Sequence, residues 1–342
     1  MRLIFHGRTA LPILLSVGHL DRTAAAIETI LEDGTPTTAS LAYAFAQFPQ
    51  LPSPLHLLVS RWDAPSVQPS FVIHRSCAAL PDGSLLHAGD GLYVPSPELC
   101  LAQIAQKAND LEIIFLGSLL CGSFMIDPST QSGTAPRKPI TVPKALKRFV
   151  SENPGLRGAK AVRRVLGHIT EGAASPPEVF LRMAMTLPTR LGGFGLTDAR
   201  VNYRLTPTQR AQRIARRKTL VPDLLWPEIK LDVEYDSDAM HLTSQQAMLD
   251  STKRLALESD GYKVITVTPL QLGNPGRLSD VAREINRCAG RQSRIRSKKF
   301  PAKQRELFSL DWSLSSLFDS SWLKRGSEGG HGEGHAISRG HF

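Results

Sequence analysis

The chain has little cysteine, and its four residues of that type, Cys77, Cys100, Cys121 and Cys288, stand far apart. They form no CxxC pair and have no histidine at zinc-ligand spacing, which argues against a structural zinc site. So sparse a set suits buried thiols in a reducing cytosol better than a disulfide framework. Long apolar runs and strongly amphipathic basic helices are also missing, so neither a membrane span nor a surface-lying helix is predicted. The opening MRLIFHGRTALPILLSVG has Arg8 and Pro12 inside its apolar stretch, which leaves too short a core for a secretory signal. The chain is therefore read as cytoplasmic. Acidic residues are in deficit, 31 against 41 Lys and Arg, for a formal net charge of +10. That balance favours a polyanionic partner, because each neutralised phosphate releases condensed counterions, although basicity alone names no substrate.

A length of 342 residues with 42% hydrophobic content suits two compact domains and a tail. The first, 1–142, reads as a small mixed α+β domain of unknown role. Leu55–Ser60 and Phe71–Arg75 look like strands, 84–94 carries turn signals between short apolar runs, and Ser96-Pro97-Glu98 opens a helix through Ala108. Nothing in this half carries obvious chemistry. A Ser, Thr, Pro and Gly-rich stretch over 127–142 reads as a linker, followed by a basic helical connector over 143–174. The second domain is placed at 175–290, and 291–342 is read as a basic segment with a disordered tail. That tail holds His331, His335 and His341, able at most to take up a stray metal.

The informative run is LVPDLLWPEIKLDVEYDSDAMHL over 220–242. Leu220–Leu225 and Lys230–Asp236 read as strands, and Trp226-Pro227-Glu228 between them as a turn, giving a β-hairpin. A turn centred near Glu228 sets Asp223 opposite Glu234, with Cβ atoms about 5 Å apart. Along the second strand Leu231, Val233 and Tyr235 alternate with Lys230, Asp232, Glu234 and Asp236, so one face is core and the other strongly acidic. Like charges gathered on a sheet face repel, so Asp223, Glu234 and Asp236 call for a compensating cation such as Mg²⁺, unless the face is simply solvated.

Pro222-Asp223, Glu234-Tyr235-Asp236 with His241, Asp250-Ser-Thr-Lys-Arg254 and Gly261-Tyr-Lys-Val-Ile-Thr-Val-Thr268 together resemble the PD-(D/E)XK nuclease superfamily. Within it they look most like the very-short-patch-repair (Vsr-like) endonuclease branch, including bacterial proteins that join this domain to an AbiEi-type antitoxin-like region. The resemblance implies an α/β fold with a restriction-endonuclease-like αβββαβ core: a helix from Pro176, a strand near Asn202–Leu205, the hairpin, a helix over 244–259 and a strand over 262–267. It implies a DNA endonuclease dependent on Mg²⁺ or Mn²⁺, with Asp223 and Glu234 holding the metal and Asp236 as a further ligand. It also implies that His241 acts on the attacking water or the scissile phosphate, and that Glu178 contributes from the first helix. Glu178 equally completes a capping box with Ser175.

On the helix over 244–259, Asp250, Lys253, Arg254, Leu257 and Glu258 share a mostly polar stripe, and Met248, Thr252, Leu255 and Ser259 a less polar one. Lys253 and Arg254 are placed to touch phosphates, or Arg254 to pair with Asp250. Arg216, Arg217 and Lys218, just before the hairpin, are a second phosphate-binding candidate, and a third basic run lacks acidic residues between Glu284 and Glu306. Three features depart from the pattern: Asp236 stands where the superfamily motif has lysine, a substitution the Vsr-like branch shares, Ser237 stands where the family often has glycine, and Met240-His241 replaces paired histidines. Those departures keep a second reading open, that of a catalytically inactive DNA-binding regulator or antitoxin-like protein with the same fold.

Overall fold

Alternating side chains build the first sheet. In the computed structural model, which describes residues 2–18, 20–22, 36–63, 66–76, 80–236, 244–292, 295 and 297–312, the chain opens with β1 (Leu3–Ile4), α1 (Gly7–Ser16), β2 (Asp21–Arg22) and α2 (Thr38–Gln47). The strands β3 (Leu55–Val59), β4 (Phe71–Arg75), β5 (Leu85–Gly89) and β6 (Leu92–Pro95) follow. Order is β1-β6-β5-β2, with β1 parallel to β6 and the other pairs antiparallel. The parallel pair β3 and β4 lies beside it, tied to β1 by a bridge from Phe5 to Leu57. Odd-numbered residues here, Leu3, Phe5, Leu55, Leu57, Val59 and Ile73, enter the main core, whereas Ile4 and Leu58 join a separate small cluster with Leu85 and Tyr93. This is the period-two rule of a sheet covered differently on its two faces.

Helix α3 (Pro97–Ile104) starts where the sequence predicts, with the Ser96 hydroxyl accepting from the Leu99 N–H and proline in the first turn. It stops short of Ala108 because a reciprocal capping box between Asn109 and Glu112 starts a new helix, α4 (Asp110–Leu120). The stretch expected as a linker is tied down. β7 (Phe124–Ile126) pairs with β8 (Thr134–Pro136), and the Arg137 guanidinium donates to the Leu14 and Val17 carbonyls at the end of α1. The basic connector forms α5 (Pro143–Glu152) and α6 (Ala159–Val165), which keep their cations outward and bury Leu146, Val150, Val162 and Val165. Gly158, at φ +89°, enters α6 so close to the Ala102 carbonyl that no Cβ fits there.

The second half runs α7 (Pro176–Thr186), β9 (Arg200–Val201), α8 (Gln209–Ala215), β10 (Leu224–Trp226), β11 (Leu231–Tyr235), α9 (Ser244–Ser259), β12 (Lys263–Val267), α10 (Pro269–Leu272), α11 (Pro275–Cys288) and α12 (Phe300–Phe308). Its sheet has the order β12-β11-β10-β9, with β11 and β12 parallel and the other neighbours antiparallel. The strand expected near Asn202–Leu205 is displaced to β9, and Leu205 instead makes an isolated bridge to Leu220. Asn202, at φ +44°, turns the chain between them. The fold is mixed α/β, and one hydrophobic cluster runs through both halves, from Leu3 to Leu307, taking in Leu101, Phe180, Leu224, Leu231 and Val233. Part of the predicted C-terminal basic segment packs back onto the body: Trp312 stacks on Phe180 and Phe308 meets it edge-on. No helix among the described residues is long and apolar enough to cross a membrane.

Candidate functional site

The β10–β11 connection fixes the site. Pro227–Ile229 forms a tight 3-10 turn and Lys230 closes it in the left-handed region at φ +47°. The resulting register pairs Leu224 with Val233, Leu225 with Asp232 and Trp226 with Leu231, so Asp223 stands one step outside the ladder, facing Glu234. There the Asp223 carboxylate accepts the Tyr235 N–H at 2.8 Å. On β11 the residues Leu231 and Val233 go to the main core, and Asp232 and Glu234 occupy the other face. Asp232 is fully buried, 0% exposed.

Two helices complete the cluster. From the first turn of α7, Glu178 accepts hydrogen bonds from the Ala174 N–H (2.8 Å), the Ser175 hydroxyl (2.9 Å) and the Asn202 amide (2.8 Å). Glu178 thus ties down the start of the helix through Ala174 and the Ser175 hydroxyl and not through the reciprocal Ser175 N–H bond of a capping box, and it raises Asp223 while being raised by Glu234. From α9 the Lys253 ammonium donates to Glu234 at 2.6 Å and lies 4.0 Å from Asp223. This places Lys253 among the carboxylates rather than on an outer phosphate-binding surface. The face assignment within α9 is corrected with it: Met248 and Leu255 are exposed, and Ala256 and Leu257 are buried against α8 and β12. Lys253 can share the inward side because the acidic residues of β10 and β11 meet its charge.

Charge is not balanced within the cluster. Burial pushes the Asp223 carboxyl well above the ordinary range, and Glu178 and Glu234 push it further, against the opposing effect of Lys253 and the Tyr235 N–H. Asp232 is raised well above its usual value by burial and then by Glu234. Glu178 is raised by burial despite its three hydrogen bonds. Burial disfavours the charge on Lys253, but Glu234 and Asp223 more than offset this and its pKa is raised. Like charges about 4 Å apart repel by roughly 4 kcal/mol at an effective dielectric near 20, so one ammonium offsets about one such repulsion and leaves the rest. Both oxygens of Asp232 and one of Glu234 are buried without a hydrogen-bond donor. A proton on Asp232 turns one of those oxygens into a donor to Glu234, which accounts for the coupling between the two acids.

The remaining expected residues distribute as follows. Asp236 continues beyond β11 with its N–H bonded to the Val267 carbonyl. Asp223, Glu234 and Asp236, the expected metal set, are not drawn together as a three-ligand group, and the Lys253 ammonium lies 2.6 Å from Glu234 and 4.0 Å from Asp223. His241 lies outside the described residues. Arg254 pairs with Glu258 (3.1 Å), one turn along the helix, and not with Asp250. Arg216, Arg217 and Lys218 are exposed and line a shallow hollow with Gln209, Gln212 and Arg213 at the end of α8. In the C-terminal basic run Arg287 is engaged by Glu284 and Lys303 by Glu306.

Two features escaped the sequence reading. Asp232 was visible as a member of the acidic face, two residues from Glu234, but its burial was not. The other is a convergence of His6, His56 and His74 in the N-terminal half, whose ring nitrogens lie within 4.8 Å of one another. Their separations of 50 and 18 residues resemble no local metal-binding motif, and only the pairing of β1, β3 and β4 brings them together. Searches of protein-family models, of curated proteins and of solved structures find no match to this chain.

Proposed function

We propose that residues 176–267 form a divalent-metal-dependent endonuclease centre of the PD-(D/E)XK type, hydrolysing phosphodiester bonds in DNA. The observation that carries this reading is the pairing of Asp223 with Glu234 across β10 and β11, with Glu178 beside them and the Lys253 ammonium on the same face. The order of elements supports it: a helix, a short strand, the added helix α8, the β10–β11 hairpin, a helix and a parallel strand, which is the order the family resemblance implies with one helix inserted after its first strand. Lysine is missing two residues after Glu234, but Lys253 brings an ammonium to the same acid from α9. Donors and charge suit a hard cation, since they are all carboxylate oxygens with acidic groups in excess and buried oxygens unpartnered.

Mg²⁺ or Mn²⁺ bound there supplies Lewis-acid polarisation of the scissile phosphate. The chain's own residues do the rest. Asp223 and Glu234 would hold the cation, and Glu178, anchored by Ser175 and Asn202, would add to the negative potential there. Asp232 holds a proton against Glu234, and Lys253 donates toward the charge that develops on the phosphate oxygens. Arg213, Arg216, Arg217 and Lys218 at the end of α8 neutralise backbone phosphates, which lets DNA approach an acidic cleft.

Supercoiled plasmid and a mismatch-containing duplex are the test substrates, incubated with Mg²⁺ or Mn²⁺. Wild type is expected to nick them, with activity abolished by chelation and reduced at least about 100-fold by Glu234→Gln or Asp223→Asn. Salt-sensitive DNA retention by wild type and both variants, with no cutting by any, overturns the nuclease and leaves the DNA-binding regulator.

A further inference from the structure

Three histidines meet on the face of the N-terminal sheet that looks away from the main core. His6 follows Ile4, and His56 precedes Leu58, two residues that belong to the small second cluster. The His6 N–H donates to the His56 carbonyl at 2.8 Å, which locks the first segment onto β3. In the parallel pair His56 stands opposite Val72, so His74 is its diagonal neighbour on the same face. The His6 and His74 rings stack with centroids 3.7 Å apart, and the His56 and His74 rings at 5.0 Å. Nδ1 of His56 and Nε2 of His74 are 2.8 Å apart.

We propose that His6, His56 and His74 form a transition-metal centre, best matched to Zn²⁺, whose fourth position is open to an anion. It rests on none of the carboxylate residues discussed above. The donor set is three imidazole nitrogens with no hard oxygen among them, which suits Zn²⁺ and its neighbours rather than Mg²⁺. The three nitrogens lie within 4.8 Å, and tetrahedral Zn–N bonds of about 2.0–2.1 Å ask for separations of roughly 3.4 Å, so on binding the stacked His6 and His74 rings turn out of their stack to bring both nitrogens onto one ion. Nδ1 of His6 is buried and has no hydrogen-bond partner, a cost that a ligand bond removes. All three imidazoles are held in the neutral, metal-binding form. Burial is the first cause for each; with His74 and then Arg8 and Lys107 acting on it His56 falls to about 3, and with Arg8 and Lys107 His74 falls to about 4.

The surroundings argue for the fourth ligand. His6 caps the positive end of α1 without a side-chain bond of its own, and the first turn of that helix carries Arg8 and no acidic residue, with Glu112 acting on Arg8 from outside the helix. A dication on three neutral ligands among such charges is favoured by a negative group in its remaining position. His56 and His74 are only partly buried, which leaves that position a route to solvent.

The test is a Co²⁺ titration of the full chain after chelation, read by the visible absorption of tetrahedral Co²⁺, with Zn²⁺ displacing it and azide added as an anionic probe. One equivalent is expected, with a spectrum that azide perturbs. Affinity should fall more than about 100-fold in His56→Asn and His74→Gln, beyond the roughly 10- to 100-fold lost when an outer-shell partner is removed. His74→Cys, which restores a zinc ligand, should recover it, separating loss of a ligand from loss of the fold. Glu234→Gln, and replacement of His331, His335 and His341 by Gln, should leave the titration unchanged. The centre is overturned if wild type develops no tetrahedral band, if His56→Asn and His74→Gln titrate like wild type, or if only the tail substitutions abolish binding. Indifference of the spectrum to azide overturns the open fourth position.

Discussion

The buried acids of β10 and β11 and the buried histidines of β1, β3 and β4 both gather titratable groups on one sheet face, and they settle the resulting charge problem in opposite ways. Asp223, Glu234 and Glu178 are ionisable acids that must hold protons, attract a cation or lean on Lys253. The histidines shed charge altogether, because a neutral imidazole remains a good donor and acceptor when buried. On the two proposals made above, hard oxygen donors and borderline imidazole nitrogens stand on separate sheets, an arrangement that would sort Mg²⁺ from Zn²⁺ by ligand type within one chain.

The sharpest way to break this contrast is to remove the single ammonium. Breaking a fully buried ion pair leaves an uncompensated charge and costs about 3–5 kcal/mol. Because Lys253 and Glu234 keep 26% and 20% of their side-chain surface, the cost of Lys253→Met is discounted to about 1–3 kcal/mol. Denaturant unfolding should show that loss, and Mg²⁺ should recover more of it in the variant than it adds to wild type. Equal stability of the two proteins with and without Mg²⁺ would mean that Lys253 does not carry the charge balance.

Acid separates the two clusters next, in protein stripped of metal. Histidines with pKa values near 3 and 4 when folded, against 6.5 when unfolded, are neutral in the native state while the unfolded chain takes up protons. Their contribution is complete above about pH 6.5 and is lost as pH falls from there toward 4. Asp223, Asp232 and Glu178 are shifted upward, so the folded state binds the extra protons, and stability from these groups rises as pH falls toward the unfolded values of 3.8 and 4.5. The two slopes oppose. Unfolding followed from pH 7 to pH 4 should show the double variant His56→Asn, His74→Gln losing less stability than wild type, by up to one proton per substituted histidine in the slope. A steeper loss in the variant would reverse the assignment.

What could be read beforehand follows from the range of the interactions. Alternation within Phe71–Arg75 and across the β10–β11 hairpin is local, so strand positions and the facing of Asp223 and Glu234 are legible. The histidine centre is invisible in the same terms, because its members come from three segments and each alone looks like an ordinary strand residue. Lys253 was read on the polar side of α9, and its partner was missed because it depends on how that helix lies against β11. Arg254 was likewise given the wrong i,i+4 acid: Asp250 and Glu258 are both one turn away, and its packing near the Val264 carbonyl selects the second. The predicted linker failed for a related reason. Its composition is loop-like, but Arg137 finds two carbonyls at the end of α1, 120 or more residues earlier.

The smallest effect is the most discriminating. Asp232 is either a proton carrier that satisfies Glu234 or an ionised ligand awaiting a cation, and Asp232→Asn separates these by sign. An amide has nearly the shape of a protonated carboxyl and can donate to the Glu234 oxygen that otherwise lacks a partner. A proton kept on Asp232 at pH 7 carries a linkage cost, since the same group in the unfolded chain is ionised above its usual 3.8. Replacing it by Asn removes that cost, so the variant should match wild type at pH 7 or exceed it by about 1 kcal/mol, the advantage shrinking toward pH 4. Thermal unfolding at pH 7, 5.5 and 4 measures the trend. A variant markedly less stable at pH 7, together with weakened Mg²⁺ binding, would make Asp232 an ionised part of the cation site and would move the metal inward along β11, from Asp223 and Glu234 toward the buried end of the strand.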